Sequence, residues 1–476
     1  MKKNYRQTVR MICVGILIVA AFVVLVRKGV IPRFWEQPAM APVGEDEITR
    51  IPGPQTDDAR EPLTDAATEP QSDHAPALAD DTLSEHTSEN MEAGESLHTS
   101  ETETAPQDGK DDEPLQPEQA EPETEQSPEE TLRAYLENDP RTPTEVKGIF
   151  ITGAVAGTAH TMPALTQLVE DTSLNAMVID IKNDAGEVTY KMGLPLSQEI
   201  GAEVRYVSDM PQLIRQLKEK NIYLIARIVA FKDPVLAEKK TEYAVKNADG
   251  TVFHDNNGLA WVNPYKEEVW DYLIDLSKEA AALGFDEIQY DYIRFSTAKG
   301  IADAYFGEES EGKTKQDAIN GFLTKAYETL APMGVYVSAD VFGTIICNES
   351  DGKLIGQDYV EMAKHCDYIC PMVYPSHYVN NAYGIAVPDA KPYELIRAAV
   401  ADGEKKLSEA RSLDEDVHLA KQRPWLQAFT ATWVQGHISY QGQQLKDQIR
   451  GSADAGVQEW LLWNASNNYD PVKDGL

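Results

Sequence analysis

From Thr144 onward, short apolar and β-branched runs alternate with amphipathic helical stretches, and the alternation never breaks. A chain patterned in this way folds as consecutive βαβ units, whose strands lie parallel because each helix carries the chain back across the sheet. Eight strands are predicted, at 147–153, 175–182, 222–230, 286–295, 334–343, 367–375, 423–430 and 459–466. Helices are predicted between them at 162–171, 211–220, 266–283, 315–331, 358–365, 392–411 and 441–455, with Gly284 and Gly334 placed to end two of them. Eight is the strand number of a closed (β/α)8 TIM barrel, and a doubly wound α/β sheet is the alternative. The stretch after strand eight is too short for a full final helix, and 382–392 reads as a longer loop.

The chain before Thr144 has a different texture. Lys2, Lys3, Arg6 and Arg10 precede an uninterrupted apolar run from Met11 to Val26 that ends at Arg27 and Lys28. A span needs roughly 20 residues for a ~30 Å hydrocarbon core, which Gly29 to Ile31 and snorkelling basic side chains can complete. The only small-x-small cleavage candidate, Ala39-Met40-Ala41, lies well downstream of the run. Residues 1–35 are therefore expected to be a signal-anchor transmembrane helix, with the N-terminus cytoplasmic and the rest extracytoplasmic. Residues 36–143 are expected to be a disordered acidic linker, rich in Glu, Asp, Pro, Ser and Thr and almost without aromatics. The barrel is expected to occupy 144–476.

Charge narrows the partners. The net charge of -35 splits into about +6 over 1–40, about -25 over 41–140 and about -16 over the remainder. Such a balance repels phosphate backbones, and no Lys/Arg stripe interleaved with aromatics offsets it, so nucleic acid is not an expected partner. The four cysteines, Cys13, Cys347, Cys366 and Cys370, are too few for a disulfide scaffold. No HxH, HExxH or paired CxxC pattern is present, so neither a metal nor an organic cofactor is expected.

Active sites of (β/α)8 barrels lie at the C-terminal ends of the strands. There the sequence places Thr152, Asp180, Lys182, Arg227, Gln289, Asp291, Asp340, Tyr374, Gln427, Trp463 and Asn464. Burying so many polar groups without a use for them is costly. Asp291 and Asp340 are expected on neighbouring strands, about 4.8 Å apart in the sheet, where two carboxylates can face one sugar. Glycosidic cleavage needs one carboxylate as nucleophile or base and another as protonated acid. Equally, Asp291 can be a buried ion-pair partner of Arg227 or Arg294. Tyr190, Trp261, Tyr292, Tyr374, Tyr378, Trp433 and Trp463 offer ring faces on which a sugar can stack. His254 sits in the long loop after strand three, while Asn256-Asn257-Gly258 and Asn263-Pro264 read as turn chemistry.

Four segments carry a family resemblance: FKDP at 231–234, NPYKEEVWDY at 263–272, GFDEIQYDYIRFS at 284–296 and PMVYPSHY at 371–378. Together they resemble the bacterial glycoside hydrolase-like domain, over roughly residues 145–470. The resemblance implies a TIM-barrel glycosidase, and its fourth strand is similar to that of alpha-amylase-like barrels, where an Asp at this strand end is catalytic. Asp291 inherits that role by resemblance. Met372-Val373-Tyr374 resembles the Met-x-Tyr of chitinase-like barrels, but their DxxDxDxE motif is not reproduced on strand four. An alpha-amylase would carry a Glu after strand five and an Asp after strand seven, where this chain has Asp340 and Gln427.

Two functions are thus expected. In the first, the barrel hydrolyses a cell-envelope or extracellular polysaccharide, with Asp291 and Asp340 catalytic. Asp180, Lys182, Arg227, His254, Gln289, Arg294, Tyr374, Gln427 and Trp463 would then bind the poly- or oligosaccharide. In the second, an inactive barrel binds such a glycan at the surface.

Overall fold

The computed structural model describes residues 127–476. The expected anchor at 1–35 and the linker as far as residue 126 lie outside the described residues. Among the described residues no helix is long and apolar enough to cross a membrane.

The strands are β1 (Lys147–Ile151), β2 (Ala176–Lys182), β3 (Tyr223–Val229), β4 (Glu287–Asp291), β5 (Tyr336–Phe342), β6 (Tyr368–Met372), β7 (Lys421–Gln422), β8 (Trp425–Gln427) and β9 (Trp460–Trp463). All their pairings are parallel, in the order β5-β4-β3-β2-β1-β9-β8-β6-β7, and β5 also pairs with β6. That last pairing closes the sheet into a barrel and excludes the doubly wound alternative. β7 and β8 together fill the seventh of eight strand positions, and the break falls at Arg423 and Pro424, where proline has no N–H to give the ladder. The predicted strands all form. All but β2, which ends at Lys182 as predicted, are shorter than predicted at their C-terminal ends, where the chain turns into the loops that carry the site.

Side-chain alternation divides the core into two shells. One set, including Phe150, Val178, Ile225, Cys370, Trp425 and Leu461, packs inside the barrel. The other set, including Ile149, Ile179, Leu224, Ile288 and Val337, packs outward against the helices. The helix Glu267–Leu283 shows how sequence sets an element's limits. Glu267 and Glu268 occupy its positive first turn, and Gly284 ends it in the left-handed conformation at φ 103°.

The N-terminal end of the barrel is closed by charge. Glu287 and Arg423 are both fully buried, and Arg423 Nη1 and Nη2 each donate to Glu287 Oε2 at 3.0 Å. The Tyr223 and Ser338 hydroxyls donate to the same carboxylate at 3.0 and 2.5 Å, and the guanidinium lies 3.6 Å from the Tyr368 ring centroid. A buried pair survives only with this degree of hydrogen bonding.

At the ends of the domain one expectation is revised and one, the missing final helix, is met. Within the predicted linker, Pro128–Glu137 is a helix, started by a capping box between Ser127 and Glu130. Leu132, Tyr135 and Leu136 pack on the core. Arg141 then fastens the chain: Nη2 and Nη1 bind the two Asp367 oxygens at 2.8 and 2.9 Å, and Nη1 also binds the Val335 carbonyl. Three apolar residues and one arginine outweigh the acidic composition around them. At the other end, no α-helix follows β9, and the chain finishes in a 3-10 turn at Lys473–Gly475.

Candidate active site

At the C-terminal ends of the strands a cavity of about 290 Å³ opens, lined by residues of every sheet position. Asp180 on β2, Arg227 on β3, Asp291 on β4, Asp340 on β5 and Trp463 on β9 all line it, as do Tyr374 and Arg294 in the loops beyond β6 and β4. Strand alternation explains the grouping. Glu287, Gln289 and Asp291 share the inward phase of β4, and Ser338, Asp340 and Phe342 share that of β5, so the last inward residue of each strand reaches the cavity.

Arg227 organises the floor. Its Nη1 donates to Asp180 Oδ1 at 2.5 Å, while Nε and Nη2 donate to Asp291 Oδ2 at 3.0 and 2.5 Å. The guanidinium lies 5.3 Å from the centroids of both Phe150 and Trp463, whose rings stack on each other at 4.1 Å. The other Asp291 oxygen accepts the backbone N–H of Tyr292 at 2.6 Å. Tyr292 has φ 49°, a left-handed conformation that a residue with a bulky side chain rarely adopts. The chain is thus bent sharply right after the carboxylate, and the bend aims an N–H back at it.

Asp340 sits in the opposite environment. It is 1% exposed, and Oδ1 accepts the Trp425 indole N–H at 2.7 Å. Burial, together with the neighbouring Asp291 charge, pushes its carboxyl well above the usual range, against the smaller opposing pulls of Trp425 and Arg227. Asp180 is pushed up to about 6 by burial, with Arg227 pulling the other way. The cavity therefore holds a carboxylate bonded to a guanidinium on one strand and a carboxyl favouring its neutral form on the next.

Four predicted binding residues lie outside this cavity. The β2 ladder slips between Asp180 and Lys182, so Lys182 pairs with Ile228 and loses the inward phase. Its ammonium is buried behind the barrel wall, 3.0 Å from Asp233 and 2.7 Å from the Val229 carbonyl. Gln289 is inward but one layer too deep, with Nε2 3.5 Å from Cys370 Sγ. Gln427 is fully buried and tied to its surroundings, donating to Asp389 Oδ1 and the Phe429 carbonyl and accepting from the Ser376 N–H. His254 is on the surface, 2.6 Å from Glu238. Asp255 does turn work, accepting from the Asn257 and Leu259 amides and from the Trp261 indole.

Other lining residues were not singled out from the sequence: Phe150, Asp184, Phe342, His377, Trp425, Phe429 and Ala465. Trp425 was legible, since it shares the inward phase of its strand. His377 and Asp184 lie in loops, where no periodicity announces them. His377 packs against the Tyr374 and Phe429 rings, and burial pushes its imidazole down to about 4, which leaves it neutral near neutral pH. Of the predicted stacking aromatics, Tyr292, Tyr374, Trp433 and Trp463 line the cavity, whereas Tyr190, Trp261 and Tyr378 are buried elsewhere in the core.

Residues 148–469 match the model of a family described as Putative glycosyl hydrolase domain. No curated protein matches the chain. Among solved structures, a hypothetical protein from Ruminiclostridium thermocellum is 41% identical over 40% of this chain and 97% of its own, with a TM-score of 0.38. The glycoside hydrolase domain of PgaB (BpsB) from Bordetella bronchiseptica is 13% identical over 68% of this chain and 95% of its own, with a TM-score of 0.50. The alpha-galactosidase TtGalA from Thermus thermophilus is 14% identical over 72% and 62%, with a TM-score of 0.41. The likeness to the PgaB domain is one of fold.

Proposed function

Because the chain belongs to the glycosyl hydrolase domain family whose model spans residues 148–469, we propose that it hydrolyses glycosidic bonds in a cell-envelope or extracellular polysaccharide. The observation that carries this reading is the contrast between two carboxyls at adjacent strand ends in one cavity. Asp340 is the acid: its Oδ1 is engaged by the Trp425 indole, so Oδ2 carries the proton to the glycosidic oxygen as the bond to the leaving sugar breaks. Asp291, oriented by Arg227 and the Tyr292 amide, either attacks the anomeric carbon to form a glycosyl ester that water then hydrolyses, or takes the proton of the water that attacks that carbon directly. The indole faces of Trp463 and the Tyr374 ring suit the apolar C–H faces of a sugar, and Asp180, Arg227 and Arg294 suit its hydroxyls. The basic and apolar N-terminal segment would anchor the domain outside the membrane at the end of its acidic stalk, a topology that protease protection in whole cells tests.

One observation favours the alternative of a binding barrel without turnover. Two guanidinium nitrogens engage the same Asp291 oxygen, as in a purely structural ion pair. Reducing-sugar release by the full chain from a panel of envelope and exopolysaccharides separates the two. General acid–base groups contribute typically ~10²–10⁴-fold, so Asp340→Asn and Asp291→Asn should each lower release by at least that much. Glycan binding without release, unchanged by both substitutions, would establish the binding barrel instead.

A further inference from the structure

The cavity of about 290 Å³ is at the lower end of the range of small-molecule sites. A polysaccharide runs on from the sugar in the cavity across its rim, and the rim is built unevenly. On the side beyond β8 a run of rings leads out of the cavity. Tyr374 meets His377 at 5.2 Å and Phe429 at 5.9 Å, and Phe429 stacks on Trp433 at 6.0 Å with the planes 19° apart. Trp433 ends the run at the surface, 37% exposed, yet it still lines the cavity.

The loop that presents Trp433 is braced from behind. Asp389, 1% exposed, accepts from Gln427 Nε2 through Oδ1 at 3.0 Å and from the Ile438 amide through Oδ2 at 3.3 Å. The Tyr440 hydroxyl donates to the Asp389 carbonyl, and the Tyr440 amide donates to Thr430 Oγ1, both at 3.0 Å. Gln427 thus holds the loop instead of the sugar. An indole left exposed on a loop fastened at both ends is a preorganised face, since its position costs nothing further when a ligand arrives.

We propose that Trp433, backed by Phe429, is a second sugar-binding subsite, so that the substrate is a chain of at least two sugars gripped by the ring face of the unit outside the cavity. This rests on the glycosidase reading for the word substrate, but the subsite itself is testable as binding. The full chain carrying Asp340→Asn, which blocks turnover, is titrated calorimetrically with cello-, chito-, galacto- and manno-pentaoses and with the corresponding monosaccharides. At least one pentaose should bind more tightly than its monosaccharide. Adding Trp433→Ala should shrink that advantage by about tenfold, the loss of one aromatic stack, and Trp433→Phe should restore most of it. A pentaose advantage that is absent, or that survives Trp433→Ala intact, would overturn the subsite, as would the failure of every sugar to bind. If the subsite holds while the unsubstituted chain releases no sugar from any glycan, the hydrolytic reading alone has failed.

Discussion

Asp340 is held where a charge is expensive, with one hydrogen-bond donor and the Asp291 charge beside it. A carboxyl whose folded value is raised binds its proton more tightly in the folded chain. Its cost to stability is therefore absent at low pH and appears as pH rises from its ordinary 3.8 through the raised value. Asp340→Asn keeps the acceptor for Trp425 and removes the charge. The variant should be more stable than the unsubstituted chain at pH 7, on the order of 1–3 kcal/mol, while losing activity. Thermal unfolding followed against pH checks the sign, because the gap must close as pH falls toward about 4. A gap that stayed constant with pH would mean that Asp340 is not strained by its charge. Arg227 behaves in the opposite way. Replacing it with Met leaves Asp180 and Asp291 buried together without a counter-charge, and should destabilise the fold by about 3–5 kcal/mol, read as a shift of the urea midpoint.

The elements show how small irregularities reassign residues. One slip in the β2 ladder separates Asp180, which faces the cavity, from Lys182, which faces the helix layer. Lys182 there meets Asp233, whose Oδ1 caps the helix Pro234–Lys239 by accepting the Leu236 amide. Lys182→Met should therefore act as a structural lesion, costing about 3–5 kcal/mol in unfolding experiments. Sugar affinity per folded molecule should stay as it was. A selective rise in the dissociation constant with unchanged stability would return Lys182 to the site. The alternation rule that places Asp291 and Asp340 correctly cannot foresee this slip, because a bulge depends on the neighbouring strand as much as on its own.

For the whole molecule, closure matters at both ends of the barrel. The Glu287 and Arg423 pair plugs one end, and the other is left open as the cavity. The helix Pro128–Glu137 and Arg141 extend the domain upstream of the first strand. Arg141 is 3% exposed and shares Asp367 with the Tyr327 hydroxyl and the Val337 amide. Arg141→Ala should free residues 127–143 for cleavage in limited proteolysis of the full chain, while the barrel beyond them resists. If the segment is cut no faster than before, the apolar contacts of Leu132, Tyr135 and Leu136 suffice by themselves.

Much of this protein follows from periodicity alone. The run of strands and helices, the parallel sheet it implies and the inward phase that delivers Asp180, Arg227, Asp291 and Asp340 to one face are all local patterns, which fit a barrel and a doubly wound sheet alike until the β5–β6 pairing decides for the barrel. Tertiary structure alone decided the rest. It joined Arg227 to both Asp180 and Asp291, set the Trp425 indole on Asp340, turned Gln427 from the sugar to the Trp433 loop and moved Lys182 behind the wall. Those outcomes depend on which distant groups share a low-dielectric space, and a buried polar group takes whichever partner closure of the barrel brings within reach.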